Sequence, residues 1–394
     1  MLIRARHYLT DQLLDINLID GRLGSLSERP QGTTPDLEAD LIAPAYFDLQ
    51  INGGMGINFT SATLTQEEIE RVVVICAAQG IAAFCPTVIT ASNETIIAAM
   101  AALRQACEAS QALQEAMPGI HLEGPFISAE DGPRGAHPRE HVQHADITLF
   151  QRWQEAAGGR IKLVTLAPEV PGAIKLIEHL AKHGIVVSIG HSQASPAVIR
   201  EAIAAGARLS THLGNGCARM LPRHENILWE QLAADSLSAS IIPDGHHLPW
   251  NLVQCIHRCK TLDRLIITCD ASPLAGLPPG RYSPWGSEVE ITTEGKIVLS
   301  SQGVLAGSWD FTSACVEKMM ENTGLSYALV HPLACDQPRR LLGLPVPTLG
   351  VGQPANLVLL NRDDSGVLRH TTSIMGGKVI HRPHSAGPIG DAAR

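Results

Sequence analysis

Five ionisable residues stand directly after short apolar runs: Glu123 in GIHLEGPF, His191 in VVSIGHS, His212 in RLSTHLGN, His247 in LSASIIPDGHH and Asp270 in LIITCDAS. Taken singly, each has an ordinary reading. A histidine there is commonly a hydrogen-bonded loop residue, and an aspartate is commonly a helix cap. Five at equivalent positions point instead to a site. The two imidazoles and one carboxylate of Glu123, His191 and His212 suit a divalent ion such as Zn²⁺, leaving one position open for water. Such an ion draws the pKa of that water towards about 7. Asp270 can accept the proton and return it to a leaving group. Together these residues predict hydrolysis of a polarised carbonyl or phosphoryl centre.

Residues so far apart in sequence need a scaffold that brings run ends together. Between Pro44 and Ser272 the runs AYFDLQIN, IAAFCPT, GIHLEGPF, IKLVTLAPE, VVSIGHS, RLSTHLGN, LSASIIPDGHH and LIITCDAS alternate with helical patterns such as EEIERVVVICAAQ, PAVIREAIAAGA and NLVQCIHRCK. Short apolar runs alternating with helices indicate βαβ units and a buried parallel sheet. Eight of them predict an α/β protein with a (β/α)₈ TIM barrel, whose chemistry collects at the C-terminal ends of the strands. An open dinucleotide-binding sheet is disfavoured, because INGGMGINF after the first run lacks the GxGxxG spacing. The flanks read as short strands with turns at Asp20-Gly21 and Gln31-Gly32, and in ANLVLLNRD and SIMGGKVIH. The expected division is a small β-sandwich domain from residues 1–43 together with 345–382, a barrel hydrolase domain over 44–344, and a disordered tail over 383–394. EVEITTEGKIVLS reads as a hairpin turning at Glu294-Gly295, inserted after the eighth strand.

The 394 residues are 45% hydrophobic, enough for one large core and a satellite, and carry a net charge of −9. No Lys/Arg run is present, which argues against a nucleic-acid or anionic-membrane surface. The nine cysteines are scattered without a secretory framework, as in a reducing cytoplasm. Cys255 and Cys259 flank His257 at a metal-like spacing, but LVQCIHRCK is better read as a helix with one apolar face. The N-terminus lacks an apolar signal core. The stretch from Val72 to Ile89, broken by Gln79, Gly80 and Pro86, reads as helix then strand rather than a membrane span. A cytoplasmic protein is expected.

HLEGPFI, GHS, THLGNG, DGHH, TCDAS and LAGS, in that order, resemble the N-acetylglucosamine-6-phosphate deacetylase family of the amidohydrolase superfamily, over essentially the whole chain. The resemblance implies hydrolysis of the acetamide of an N-acetylamino-sugar phosphate to acetate and free amine. It implies Glu123, His191 and His212 as metal ligands and Asp270 as the acid/base. His137, in GAHP, would polarise the acetyl carbonyl. Ala136, Asn215 and Gly216 would contact the substrate, and His247 would reach the sugar or phosphate. Leu305, Ala306 and Gly307 would line the site from a helix start. A homodimer is implied as well, with the neighbouring subunit helping to close the phosphate pocket.

Two departures from the family pattern matter. Where many amidohydrolases carry His-x-His on the first strand for a second metal, this chain has Gln50-Ile51-Asn52, which implies a single ion. After the sixth strand the family commonly shows His-Leu-x-Asn-Ala-Met and a phosphate-gripping Arg, whereas this chain reads HLGNGCARMLPRHENILWEQL. Arg223 is the best positional match for that Arg, with Arg219 a competitor. A non-phosphorylated or other N-acylated sugar is therefore an alternative substrate. An N-acyl-D-amino acid or cyclic amide is a second alternative, although no Lys stands at LAPE after the fourth strand. A non-catalytic sugar-binding barrel is a third, disfavoured by Asp270, which binding alone does not require.

Overall fold

All eight apolar runs fold as strands of one parallel sheet in the computed structural model, which describes residues 1–28, 32–284 and 287–381. In chain order the strands are Tyr46–Ile51, Ile81–Ile89, Ile120–Glu123, Ile161–Leu166, Val186–Ile189, Leu209–Ser210, Ser238–Ile241 and Leu265–Ile267. Each pairs with its sequence neighbour. A parallel bridge between Ile51 and Ala271 brings the eighth strand back to the first, with Asn52 N donating to Ala271 O at 2.9 Å. The result is a nearly closed barrel wrapped by helices. Burial on both faces explains why the runs are continuously apolar rather than alternating; all six residues of the first strand are buried.

Local chemistry starts and stops the surrounding helices. Helix Gln66–Ala78 opens on a capping box, in which the Thr65 side chain accepts from Glu68 N and the Glu68 carboxylate accepts from Thr65 N. Helix Pro196–Ala205 has Ser195 as its cap and Pro196 in its first turn, and it stops at left-handed Gly206.

Inside the barrel, chemistry changes with height. Phe47, Leu49, Ala83, Cys85, Leu163, Leu209 and Ile266 form an apolar cluster. Closer to the site, His121 bonds Thr165 Oγ1 at 2.8 Å and Thr87 Oγ1 at 3.4 Å. Burial pushes the His121 imidazole down to about 4, so it is neutral near pH 7. Fully buried Asp48 closes the seam: it accepts from Gln50 N, Cys269 N and the hydroxyls of Thr268 and Thr312. These bonds tie the first strand to the eighth and to helix Thr312–Thr323.

The chain ends join in one seven-stranded sheet. Its order is Lys378–His381, Leu368–Met375, Leu357–Arg362, Leu37–Pro44, Leu2–His7, Leu13–Ile19 and Arg22–Ser27. Only Leu2–His7 and Leu37–Pro44 run parallel, so both ends contribute to one β unit beside the barrel. Gly80 lies where that sheet meets the barrel. At its φ of +79° a Cβ would stand 2.7 Å from Val358 Cγ1.

The hairpin read at Glu294-Gly295 is present as Val289–Ile291 against Ile297–Leu299, and Gly280–Tyr282 and Val304–Leu305 extend it to four strands. LVQCIHRCK lies in helix Trp250–Lys260 with Cys255 and Cys259 exposed, and all nine cysteines are free thiols. Among the described residues no helix is long and apolar enough to cross a membrane. The tail expected over 383–394 and Gln31 of one expected turn lie outside the described residues.

Candidate active site

At the C-terminal mouth of the barrel, the ends of the third, fifth and sixth strands converge. Glu123 Oε1 lies 3.3 Å from His191 Nε2 and 3.2 Å from His212 Nε2, and the two imidazole nitrogens are 3.1 Å apart. All three residues are buried. Ligand atoms around a tetrahedral Zn²⁺ with bonds of about 2.0–2.1 Å stand roughly 3.3 Å from one another. The observed triangle therefore has the edge lengths of one face of such a site. His191 Nδ1 faces Pro133 O at 2.9 Å, so that nitrogen carries the proton and Nε2 presents a lone pair to the triangle. That lone pair, the His212 Nε2 nitrogen and a carboxylate at this spacing fit a divalent cation.

The backbone is held in an uncommon state to achieve this. Of the seven non-glycine residues with positive φ among the described residues, three are His191, His212 and Asp270. Left-handed φ at these three site residues costs about 1–3 kcal/mol each, which the surrounding fold must offset. Gly216, also left-handed, covers the pair of histidines. A Cβ there would stand 3.1 Å from His191 Nδ1 and 3.2 Å from His212 Cε1.

Gln50 and Asn52, read from sequence only as poor ligands, are the hydrogen-bond donors of the site. Gln50 Nε2 donates to Glu123 Oε2 at 3.0 Å, which leaves Oε1 for the histidine side, and Thr211 Oγ1 fixes the Gln50 amide by donating to its oxygen. Asn52 Nδ2 donates to Asp270 Oδ1 at 2.7 Å. Gln50 lies in the first strand and Asn52 directly after it; their two-residue spacing suits one shared face, but the sequence does not say which acceptors they meet.

The ionisation pattern follows from burial and neighbours. Burial alone would push the Glu123 carboxyl up, but His191 and His212 hold it well below the usual carboxylate range. Burial and the nearby Glu123 charge raise Asp270 to about 7, so its affinity for a proton suits exchange near neutrality. His137 is pushed down to about 3 by burial and by His191, and is a neutral imidazole near pH 7. Its Nδ1 bonds Thr90 Oγ1 at 2.8 Å, and its Nε2 lies 3.9 Å from Glu123 Oε2. Nothing in the sequence reading had singled out Thr90.

Asn52, Glu123, His137, His191, His212 and Asp270 line one cavity of about 280 Å³, together with Ala136, Asn215, Gly216, His247, Leu305, Ala306 and Gly307. Leu305 to Gly307 reach it differently from the expectation. Leu305 ends the short strand Val304–Leu305 and Ala306 and Gly307 follow it, while the next helix starts only at Thr312, so they are not at a helix start. Arg223 is exposed and outside this cavity, its carbonyl accepting from Trp229 Nε1; Arg219 lines the rim instead. A second ligand-like group, His331, Cys335 and Asp336, is built into the packing beside the first strand. There His331 Nε2 donates to Pro44 O and the Cys335 thiol to Ala45 O.

No protein-family model matches the chain. Among curated proteins, it is 31% identical over 372 residues to an N-acetylgalactosamine-6-phosphate deacetylase of Escherichia coli O157:H7, covering 93% of this chain and 95% of the relative. It is 32% identical over 362 residues to the N-acetylglucosamine-6-phosphate deacetylase of Bacillus subtilis, covering 90% of each. The human enzyme of that name is also 32% identical, over 89% of this chain and 86% of its own. The chain belongs to the N-acetylglucosamine-6-phosphate deacetylase family. A solved variant of the Mycobacterium smegmatis member, in complex with N-acetyl-D-glucosamine-6-phosphate, superposes with a TM-score of 0.86 at 26% identity, covering 97% of this chain and 99% of that one. Membership in this family implies a divalent metal, and the Glu123, His191 and His212 triangle has the donor set to hold one.

Proposed function

We propose that this protein hydrolyses the acetamide of N-acetylglucosamine 6-phosphate, giving glucosamine 6-phosphate and acetate, with Zn²⁺ held by Glu123, His191 and His212. The observation that carries the reading is the convergence of that triangle with Asp270 in one cavity, in a chain so similar to these deacetylases. When bound, the cation polarises the acetyl carbonyl and activates water.

The remaining work falls to the chain's own residues. Asp270 takes the proton released as water attacks the carbonyl carbon, then delivers it to the departing sugar nitrogen as the C–N bond breaks. Asn52 holds the Asp270 carboxylate in place by donating to its Oδ1. Neutral His137 donates from Nε2 to the carbonyl oxygen as negative charge develops, which requires the Thr90 hydroxyl to donate to Nδ1. Gly216, having no side chain, allows the substrate close approach over the two histidines. Ala136, Asn215, His247 and Leu305 to Gly307 form the surrounding walls.

For the phosphate, the rim favours Arg219 within the subunit. Arg223 faces solvent, which suits a contact with the site of a second subunit in a homodimer rather than with its own. Comparing acetate release from N-acetylglucosamine with and without the 6-phosphate tests the substrate reading. A much higher kcat/KM for the phosphorylated sugar is expected; equal values would remove the phosphate from the account.

A further inference from the structure

Behind the wall of the cavity, one buried carboxylate takes no part in the chemistry proposed above, yet both of its oxygens are occupied. Asp244, just after the seventh barrel strand, is 3% exposed. Its Oδ1 accepts the backbone N–H groups of His246 and His247, both at 2.8 Å. Its Oδ2 accepts from His247 Nδ1 at 2.7 Å and from Ser308 Oγ at 3.2 Å. Burial alone would raise this carboxyl, but the bonds from His247 hold it well below the usual carboxylate range, so it is an anion. His247 lines the catalytic cavity. With Nδ1 committed to Asp244, Nε2 is the nitrogen left for a ligand.

We propose that Asp244 is a positioning residue for substrate binding: it fixes His247 with its proton on Nδ1 and keeps Nε2 free to meet an oxygen of the sugar phosphate. The ligand's identity rests on the deacetylase reading, whereas the pairing of Asp244 with His247 does not. A competing role is that of a brace. Ser308 N also donates to Asp270 O, and Lys318 Nζ donates to Asp244 O, so Asp244 joins the seventh-strand loop to the segment after Leu305.

Asp244→Asn separates the two roles. The two backbone N–H groups keep the amide oxygen in the place of Oδ1, so the amide nitrogen takes the place of Oδ2. That nitrogen is a donor facing Nδ1, and the ring proton is driven to Nε2. The fold is retained while His247 presents the wrong tautomer.

Kinetics of Asp244→Asn, His247→Asn and the double variant on N-acetylglucosamine 6-phosphate, with melting temperatures, test this. Asp244→Asn is expected to raise KM roughly tenfold or more, the scale of one mispaired buried hydrogen bond, with kcat within about threefold. The double variant is expected to be no worse than the poorer single one. A loss confined to kcat, or an Asp244→Asn effect that persists undiminished in the His247→Asn background, would make Asp244 a brace and overturn the proposal. An inactive native enzyme would count against the deacetylase reading alone, because histidine ¹⁵N spectra read the tautomer without substrate. They should show His247 Nδ1 protonated in the native protein and unprotonated in Asp244→Asn. Unprotonated Nδ1 in the native protein would overturn the proposal outright.

Discussion

At the residue scale, Asp270 carries the division of labour between binding and turnover. Asp270→Asn keeps the size of the side chain but cannot take up the proton, so kcat should fall by roughly 10²–10⁴-fold while metal content and KM stay near native values. Turnover that survives this change would remove Asp270 from the proton path. Its raised pKa also sets a sign for pH dependence. The base form is the unprotonated one, so kcat/KM should fall as pH drops through the Asp270 value of about 7, and a bound dication moves that limb to lower pH. A kcat/KM profile that rises towards acid pH would contradict the assignment. The ligands and Asp270 were legible because their types and their places after apolar runs were unusual together. Thr90, and the hydrogen-bonding of Gln50 and Asn52, were not, because a buried amide or hydroxyl in or just after a strand has many possible partners and only the folded register selects one. Arg223 was a match by position along the chain, and the loop that carries it turns outward.

At the element scale, the eight strands were readable because double-sided burial leaves an apolar run of recognisable length between polar turns. The terminal strands were readable as strands, but their pairing across more than three hundred residues was an inference from chain ends lying close together. Gly80 shows what that pairing demands: its left-handed φ and its contact with Val358 leave no room for a side chain. Gly80→Ala should lower stability by more than about 1 kcal/mol in a denaturant titration, with kcat preserved in the folded fraction. Unchanged stability would mean that the terminal sheet does not press on the barrel there. The helix start expected at Leu305 to Gly307 failed for a local reason. The inserted antiparallel sheet runs on to Leu305, and the helix waits until Thr312.

At the scale of the whole molecule, a single cation would join the ends of three separate barrel strands, so metal binding and global stability should be linked. Stripping the protein with a chelator should lower its melting temperature, and Zn²⁺ should restore it in a concentration-dependent way, as mass action on the folded state requires. A melting temperature indifferent to chelator and metal would place the cation elsewhere. The account as a whole rests on that cation and Asp270 acting together on an acetamide. Its most direct test is to incubate native, metal-stripped and Zn²⁺-restored protein with N-acetylglucosamine 6-phosphate, and to quantify acetate and free amine together. The account predicts equimolar acetate and glucosamine 6-phosphate from the native and restored protein, and neither product from the stripped protein. Equal release by the stripped protein, or none by the fully loaded one, would contradict it.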